Sequence, residues 1–173
     1  MVKIKADQAI YSFSPGNKPV ATIKPGEIAI FETKDCFSNQ IESEDQLFES
    51  ADWSTINPAT GPLAVEGASK GDVLVVDILD IETAKFGVMT AVADMGAIPH
   101  LLDGSETKIV SIEGGWAKFN EELKFPVKPM VGVIGTAPAE GDIPCGTPGK
   151  HGGNMDTKEI RKGTRLYLPV WQE

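Results

Sequence analysis

The chain is poor in the residues that most often announce a function. It has two cysteines, Cys36 and Cys145, and two histidines in 173 residues. The cysteines stand too far apart for a local CxxC metal or redox motif, and two thiols cannot make a disulfide-rich scaffold. Positive charge is also scarce: 16 Lys and Arg face 25 Asp and Glu, a formal net charge of −9 and an isoelectric point near 4.7. No basic cluster exceeds the Arg161-Lys162 pair, so the phosphate neutralisation that drives nucleic-acid binding has no face to act from, and an anionic membrane is repelled. No apolar run approaches the ~18 residues that a membrane-spanning helix requires. No secretory apolar region follows Met1, so the expected compartment is a reducing cytoplasm.

Glycine and proline are abundant. Gly 18 and Pro 12 together make about 17% of the chain against a usual ~12%, which predicts many tight turns and a strand-rich fold. The length predicts one domain, or two small ones sharing a core, and 41% hydrophobic residues supply a globular interior. One device recurs. Lys24-Pro25-Gly26-Glu27 precedes Ile28–Phe31, Ser69-Lys70-Gly71-Asp72 precedes Val73–Val76, and Arg161-Lys162-Gly163-Thr164 precedes Arg165–Leu168. Each reads as a turn followed by a strand, and shared turn chemistry explains the likeness without an internal repeat.

Further strands are predicted at 19–23, 63–66, 86–92, 108–113 and 130–137, with a hairpin at Glu113-Gly114-Gly115-Trp116. Two short helices are expected. Ser43 with Gln46 forms a capping box for one reaching Glu49, and Asp156 with Glu159 opens another that Gly163 closes. The expected fold is mainly β, a β-sandwich or barrel-like layer with a few short helices. Two long segments, 39–61 and 138–155, remain as loops of the kind that carry function.

Gly67-Ala68-Ser69-Lys70-Gly71 matches the G-x-S-x-G pattern of a nucleophile elbow. The elbow needs a helix after the serine, and the β-branched run after Gly71 reads as a strand, so the match is a hairpin turn. His151-Gly152-Gly153 resembles an esterase oxyanion loop in the wrong chain order. The segment from Gly149 to Asp156 sets His151 among glycines with Asn154 and Asp156 close by. Two readings stay open: a metal or acid/base pair, or a helix cap beside a solvated histidine. Asp35 and Gln40 flank Cys36, Asn57 lies in a Pro-Gly turn, and Glu66 ends an apolar strand, where it is either solvated or buried with a raised pKa. His100 reads as structural or surface. Cys36 and Cys145 read as packing residues.

Asn57-Pro58-Ala59-Thr60-Gly61-Pro62, Val65-Glu66-Gly67-Ala68, Gly71-Asp72-Val73-Leu74, His151-Gly152-Gly153-Asn154-Met155-Asp156 and Leu168-Pro169-Val170 resemble the acetamidase/formamidase family in order and spacing, over nearly the whole chain. The Asp35 to Gln40 segment is similar to that family's aspartate and glutamine. The resemblance implies a cytoplasmic, homo-oligomeric amidohydrolase that converts short linear amides such as formamide or acetamide to ammonia and a carboxylate, with zinc or calcium as the implied divalent metal. It implies Asp156 and His151 as metal-binding or water-activating groups, Asp35 and Glu66 as further carboxylates, with Asp35 also a metal ligand. Asn154, Asn57 and Gln40 would hold the amide, and the Gly152 and Gly153 N–H groups would form an oxyanion site. Family members are nearly twice as long and continue into Gly-Asp-x-His and Gly-Asp-Gly-Glu segments. Residues 1–173 are therefore expected to be one acetamidase/formamidase-like domain without the C-terminal half, a piece inactive alone. The rival reading is a non-catalytic β-sandwich module that binds a small ligand or another subunit. A cysteine amidase of the nitrilase type is disfavoured by the strand-rich pattern.

Overall fold

The computed structural model describes residues 1–173, which fall into two compact units. Strands take 33% of the chain and helical residues 5%, all of them in 3-10 turns, so the mainly-β expectation holds and both expected α-helices are absent. No helix is long and apolar enough to cross a membrane.

The first unit comprises residues 1–38, 54–81 and 130–173. Its first eight strands are β1 (Val2–Ile4), β2 (Ala9–Ile10), β3 (Ser12–Phe13), β4 (Ala21–Ile23), β5 (Ala29–Phe31), β6 (Ala59–Thr60), β7 (Leu63–Val65) and β8 (Val73–Asp77). After β9 (Phe86–Ala91), β10 (Glu106–Glu113), β11 (Trp116–Lys118) and β12 (Lys124–Pro126), which belong to the second unit, the first resumes with β13 (Val133–Gly135), β14 (Ile143–Pro144), β15 (Gly152–Asn154) and β16 (Arg165–Pro169).

The strands of the first unit pair in twos. β1 runs parallel to β5 and β4 parallel to β7, while β2 with β6, β3 with β14, β8 with β16 and β13 with β15 are antiparallel. Ile4, Phe13, Cys145, His151, Ile160 and Leu168 are buried in it. Full burial of a side chain the size of Ile4 is worth about 1.5–3 kcal/mol. Of the three turn-strand segments, the strands after Gly71 and Gly163 pair with each other as β8 and β16, while the strand after Gly26, β5, pairs with β1. At 67–71, Ser69 N donates to Asp72 Oδ2 and Asp72 N to Ser69 O, and β8 follows directly. The elbow reading is thereby closed.

The second unit comprises residues 39–53 and 82–129. It holds an antiparallel sheet in the order β12-β11-β10-β9, with the predicted hairpin through Gly114-Gly115 in register Glu113 to Trp116. Val110 and Ala117 are buried on it with Thr107. The helix expected from Ser43 shrinks to a turn and a single 3-10 turn at Phe48–Ser50. Gln46 Oε1 does reach back to Ser43 N, and also to Glu42 N, but Gln46 N bonds the Ser43 carbonyl three residues back. The capping pattern thus closes a turn with no helix behind it.

The segment after Asp156 is likewise a series of turns. Ile160 N bonds Thr157 O and Thr164 N bonds Arg161 O. Asp156 has φ +45°, outside the extended region that an N-cap occupies, so the cap reading is corrected.

Candidate functional site

Glycine decides the local structure around His151. The sequence reads 149–155 as a loop, yet Gly152–Asn154 is strand β15, paired with β13. Gly152 and Gly153 have φ +99° and +88°, a region that costs L-residues with side chains strain. A methyl group on Gly152 would lie 2.3 Å from the Ile134 carbonyl oxygen, and one on Gly153 would lie 2.3 Å from that of Thr147. Only glycine lets these backbones approach. The expected oxyanion role is corrected for Gly152: its N–H donates to Gly149 O at 3.0 Å and is committed within the fold. Gly153 faces Ile134 in the ladder. Thr136 N to His151 O and Met155 N to Gly132 O bracket that pair, which by the two-residue alternation of an antiparallel ladder makes 134 and 153 a hydrogen-bonded pair as well.

His151 is 2% exposed. The Phe13 ring stands edge-on at 5.0 Å, and methyl groups on Gly149 and Gly153 would lie 3.0 Å from Nδ1 and 3.1 Å from Nε2. Burial lowers its pKa and keeps the imidazole neutral. Its Nε2 has no hydrogen-bond partner within the chain, a position that costs about 1–3 kcal/mol when left unmet. No ion pair joins it to Asp156, so the sequence pair His151–Asp156 is separated into a buried imidazole and an exposed carboxylate.

Asp156 gathers different company. Met155 N and Asp156 N both donate to Gly132 O, at 3.0 and 3.2 Å. The side chain turns back so that a methyl group on Gly132 would meet Asp156 Oδ1 at 2.7 Å and Asn154 Oδ1 at 3.7 Å. The two side chains thus border one small volume above Gly132.

A second polar group forms at the Asp35–Cys36 turn. Phe37 N donates to Asp35 Oδ1 at 3.0 Å and Ser38 N to Asp35 O at 3.0 Å, the local bonding that lets an aspartate close a turn. Asn57 N donates to Cys36 O at 2.7 Å, and a methyl group on Gly146 would lie 3.1 Å from Asn57 Nδ2. Cys36 is exposed as a residue. Its thiol is pushed up to about 11 by desolvation first, then by the carboxylates of Asp35 and Asp156. That places both carboxylates within electrostatic reach of one sulfur, and it leaves the thiol protonated and a poor nucleophile. Cys145 is buried and its thiol is likewise raised to about 11 by burial.

Asp35 and Asn57 thus meet at Cys36, Asn154 and Asp156 meet at Gly132, and the Asp156 carboxylate acts electrostatically on the Cys36 thiol. Two of them, Asn57 at φ +55° and Asp156 at φ +45°, hold the left-handed backbone. Asn and Asp tolerate it better than other side chains, and such residues concentrate at functional sites. Glu66 does not join them: it is exposed at the end of β7, its N–H bonded to Ile23 O at 2.8 Å. Gln40 belongs to the second unit, where its Oε1 accepts from Asp52 N at 2.7 Å and its Nε2 donates to Asp52 O at 3.4 Å. His100 is exposed on the 3-10 turn Pro99–Leu101.

No group of three or more His, Cys, Asp or Glu side chains is placed to hold a metal ion. His151, Asp156 and Asp35 do not fit a zinc or calcium centre as a set, because the imidazole is buried behind β15 while both carboxylates are exposed. The sequence reading missed Gly132 and Gly146 as neighbours of the polar cluster and took Cys36 for a buried residue. Nothing in sequence separates a glycine kept for space from one kept for a turn.

The Acetamidase/Formamidase family profile matches residues 4–144. A formamidase of Methylophilus methylotrophus is 26% identical over 88% of this chain and 52% of its own length. The crystal structure of an acetamidase from Bacillus halodurans superposes with TM-score 0.97 at 48% identity, over 99% of this chain and 58% of that one. That of a predicted acetamidase/formamidase from Thermoanaerobacter tengcongensis gives 0.95 at 51% identity, over 99% and 57%. The chain thus spans little more than half the length of these relatives. With the profile matching most of its residues and the whole fold superposing on solved relatives, the chain belongs to the acetamidase/formamidase family.

Proposed function

We propose that this chain carries part of the active site of an amidohydrolase acting on short linear amides such as formamide and acetamide, giving ammonia and a carboxylate. The observation that carries the proposal is two polar pairs in the same unit, Asp35 with Asn57 at Cys36 and Asn154 with Asp156 at Gly132, the Asp156 carboxylate also acting on the Cys36 thiol. Amide hydrolysis needs a water to attack the carbonyl carbon, donors for the developing oxyanion, and a proton for the departing nitrogen. Asp156 takes the proton from the attacking water and returns it to the nitrogen as the C–N bond breaks, with Asp35 as the second carboxylate. The Asn57 and Asn154 side chains offer NH₂ donors to the carbonyl oxygen and carbonyl acceptors to the substrate NH₂. His151, buried beside Phe13 and Gly153, takes no proton in this scheme. No step runs through a metal, since the residues present do not form a metal set.

A reducing cytoplasm belongs to the same proposal, supported by two unpaired cysteines, and so does the homo-oligomer that the family resemblance implies. The rival reading is a binding module without chemistry. Ammonia release from formamide by the complete protein separates the two. Asp156→Asn is expected to lower turnover by about 10²–10⁴-fold, and unchanged turnover would remove Asp156 from the catalytic set.

A further inference from the structure

The close glycines of the first unit fall into two kinds. At Gly135, Gly152 and Gly153 an added methyl group would strike backbone: the His151 carbonyl at 2.6 Å, that of Ile134 at 2.3 Å and that of Thr147 at 2.3 Å. Those glycines are required by chain packing. At Gly132, Gly146 and Gly149 the obstacle is a side chain, Asp156 Oδ1 at 2.7 Å, Asn57 Nδ2 at 3.1 Å and the buried His151 Nδ1 at 3.0 Å, and none of the three has a positive φ. Backbone conformation there would accept alanine. What excludes it is the polar atom resting where the methyl group would go.

We propose that Gly132 is a positioning residue whose missing side chain is the seat of the Asp156 carboxylate, with Gly146 serving Asn57 in the same way. The Gly132 carbonyl fastens the main chain of Met155 and Asp156 through two hydrogen bonds, while its bare α-carbon lets the carboxylate fold back against the chain beside Asn154. The backbone of residue 132 thereby fixes both ends of Asp156. A carboxylate laid flat on a glycine leaves the volume above it for a substrate of few atoms. Any side chain at 132 would lift Oδ1 into that volume, because a Cβ contact of 2.7 Å cannot persist. This inference rests on Asp156 being a group of the active site.

The test needs no activity from the chain. With ¹³C-labelled aspartate, Gly132→Ala is expected to move the Asp156 carboxyl resonance and to lower Tm. In an Asp156→Gly background, where φ +45° suits glycine, the same substitution is expected to leave Tm unchanged or raise it, since alanine restricts the unfolded chain. An unmoved resonance, or an equal loss of Tm in both backgrounds, overturns the proposal. If the resonance moves while Asp156→Asn leaves ammonia release intact in the complete protein, the seat stands and the catalytic reading of Asp156 falls.

Discussion

The two units differ in how they use backbone. The second is a meander of four antiparallel strands joined in one sheet, β10 alone running from Glu106 to Glu113. The first is made of two- to five-residue strands paired in twos, and Gly135, Gly152 and Gly153 let its backbones approach where a methyl group would strike a carbonyl. The four polar residues of the site all lie in the first. Regular pairing saturates the backbone and points side chains alternately to two faces, whereas short strands and turns can aim several side chains from distant segments at one point. Local regularity is exchanged for convergence.

The sharpest way to break this contrast is to substitute glycines in both units. Gly153→Ala in the first forces a methyl group to 2.3 Å from a backbone oxygen at φ +88°, and is expected to cost about 3 kcal/mol or more in denaturant unfolding. Gly104→Ala in the second meets nothing within 4 Å and is expected to stay within about 0.5 kcal/mol. Equal costs would erase the distinction.

A smaller effect sharpens it through pH. The pKa of buried His151 is depressed in the fold, so its neutral form contributes stability that is complete above the unfolded value near 6.5. That contribution is lost as pH falls below it, because the unfolded chain then takes a proton the fold refuses. The slope is at most about 1.4 kcal/mol per pH unit, read as Tm between pH 7.5 and pH 5, and it should vanish in His151→Gln. A slope surviving His151→Gln contradicts the assignment. Metal content gives a further check: elemental analysis of this chain purified without added ions is expected to read well below one zinc or calcium per chain, and a full equivalent would mean that its ligands cluster after all.

Most strands were legible. Alternating or β-branched runs bounded by Gly and Pro located 73–76, 86–92, 108–113 and 165–168 within a residue or two of the observed strands, and the Gly114-Gly115 turn set the hairpin. The missed strands are the very short ones and β15, whose Gly152-Gly153-Asn154 has no apolar pattern because its pairing depends on backbone approach. Both expected helices rested on a cap-like spacing with no apolar periodicity behind it, and a cap alone stops at a turn. In the site, residue types at Asp35, Asn57, Asn154 and Asp156 were readable from the family resemblance. Which of them meet was not, since the contacts join residues about 20 to 120 positions apart through backbone turns. Glu66 and His151 show the limit: one is solvated and the other sealed in the core, and sequence spacing distinguishes neither.

Convergence itself is best tested at Cys36, whose sulfur senses both carboxylates. The rate of its alkylation against pH, followed by mass spectrometry of the Cys36 peptide, gives the thiol midpoint in the unsubstituted chain and in Asp156→Asn. The midpoint is expected at about 11 in the first and lower in the second, because a neutral amide no longer opposes the thiolate. An identical midpoint in both would place the Asp156 carboxylate away from Cys36 and contradict the assembled site.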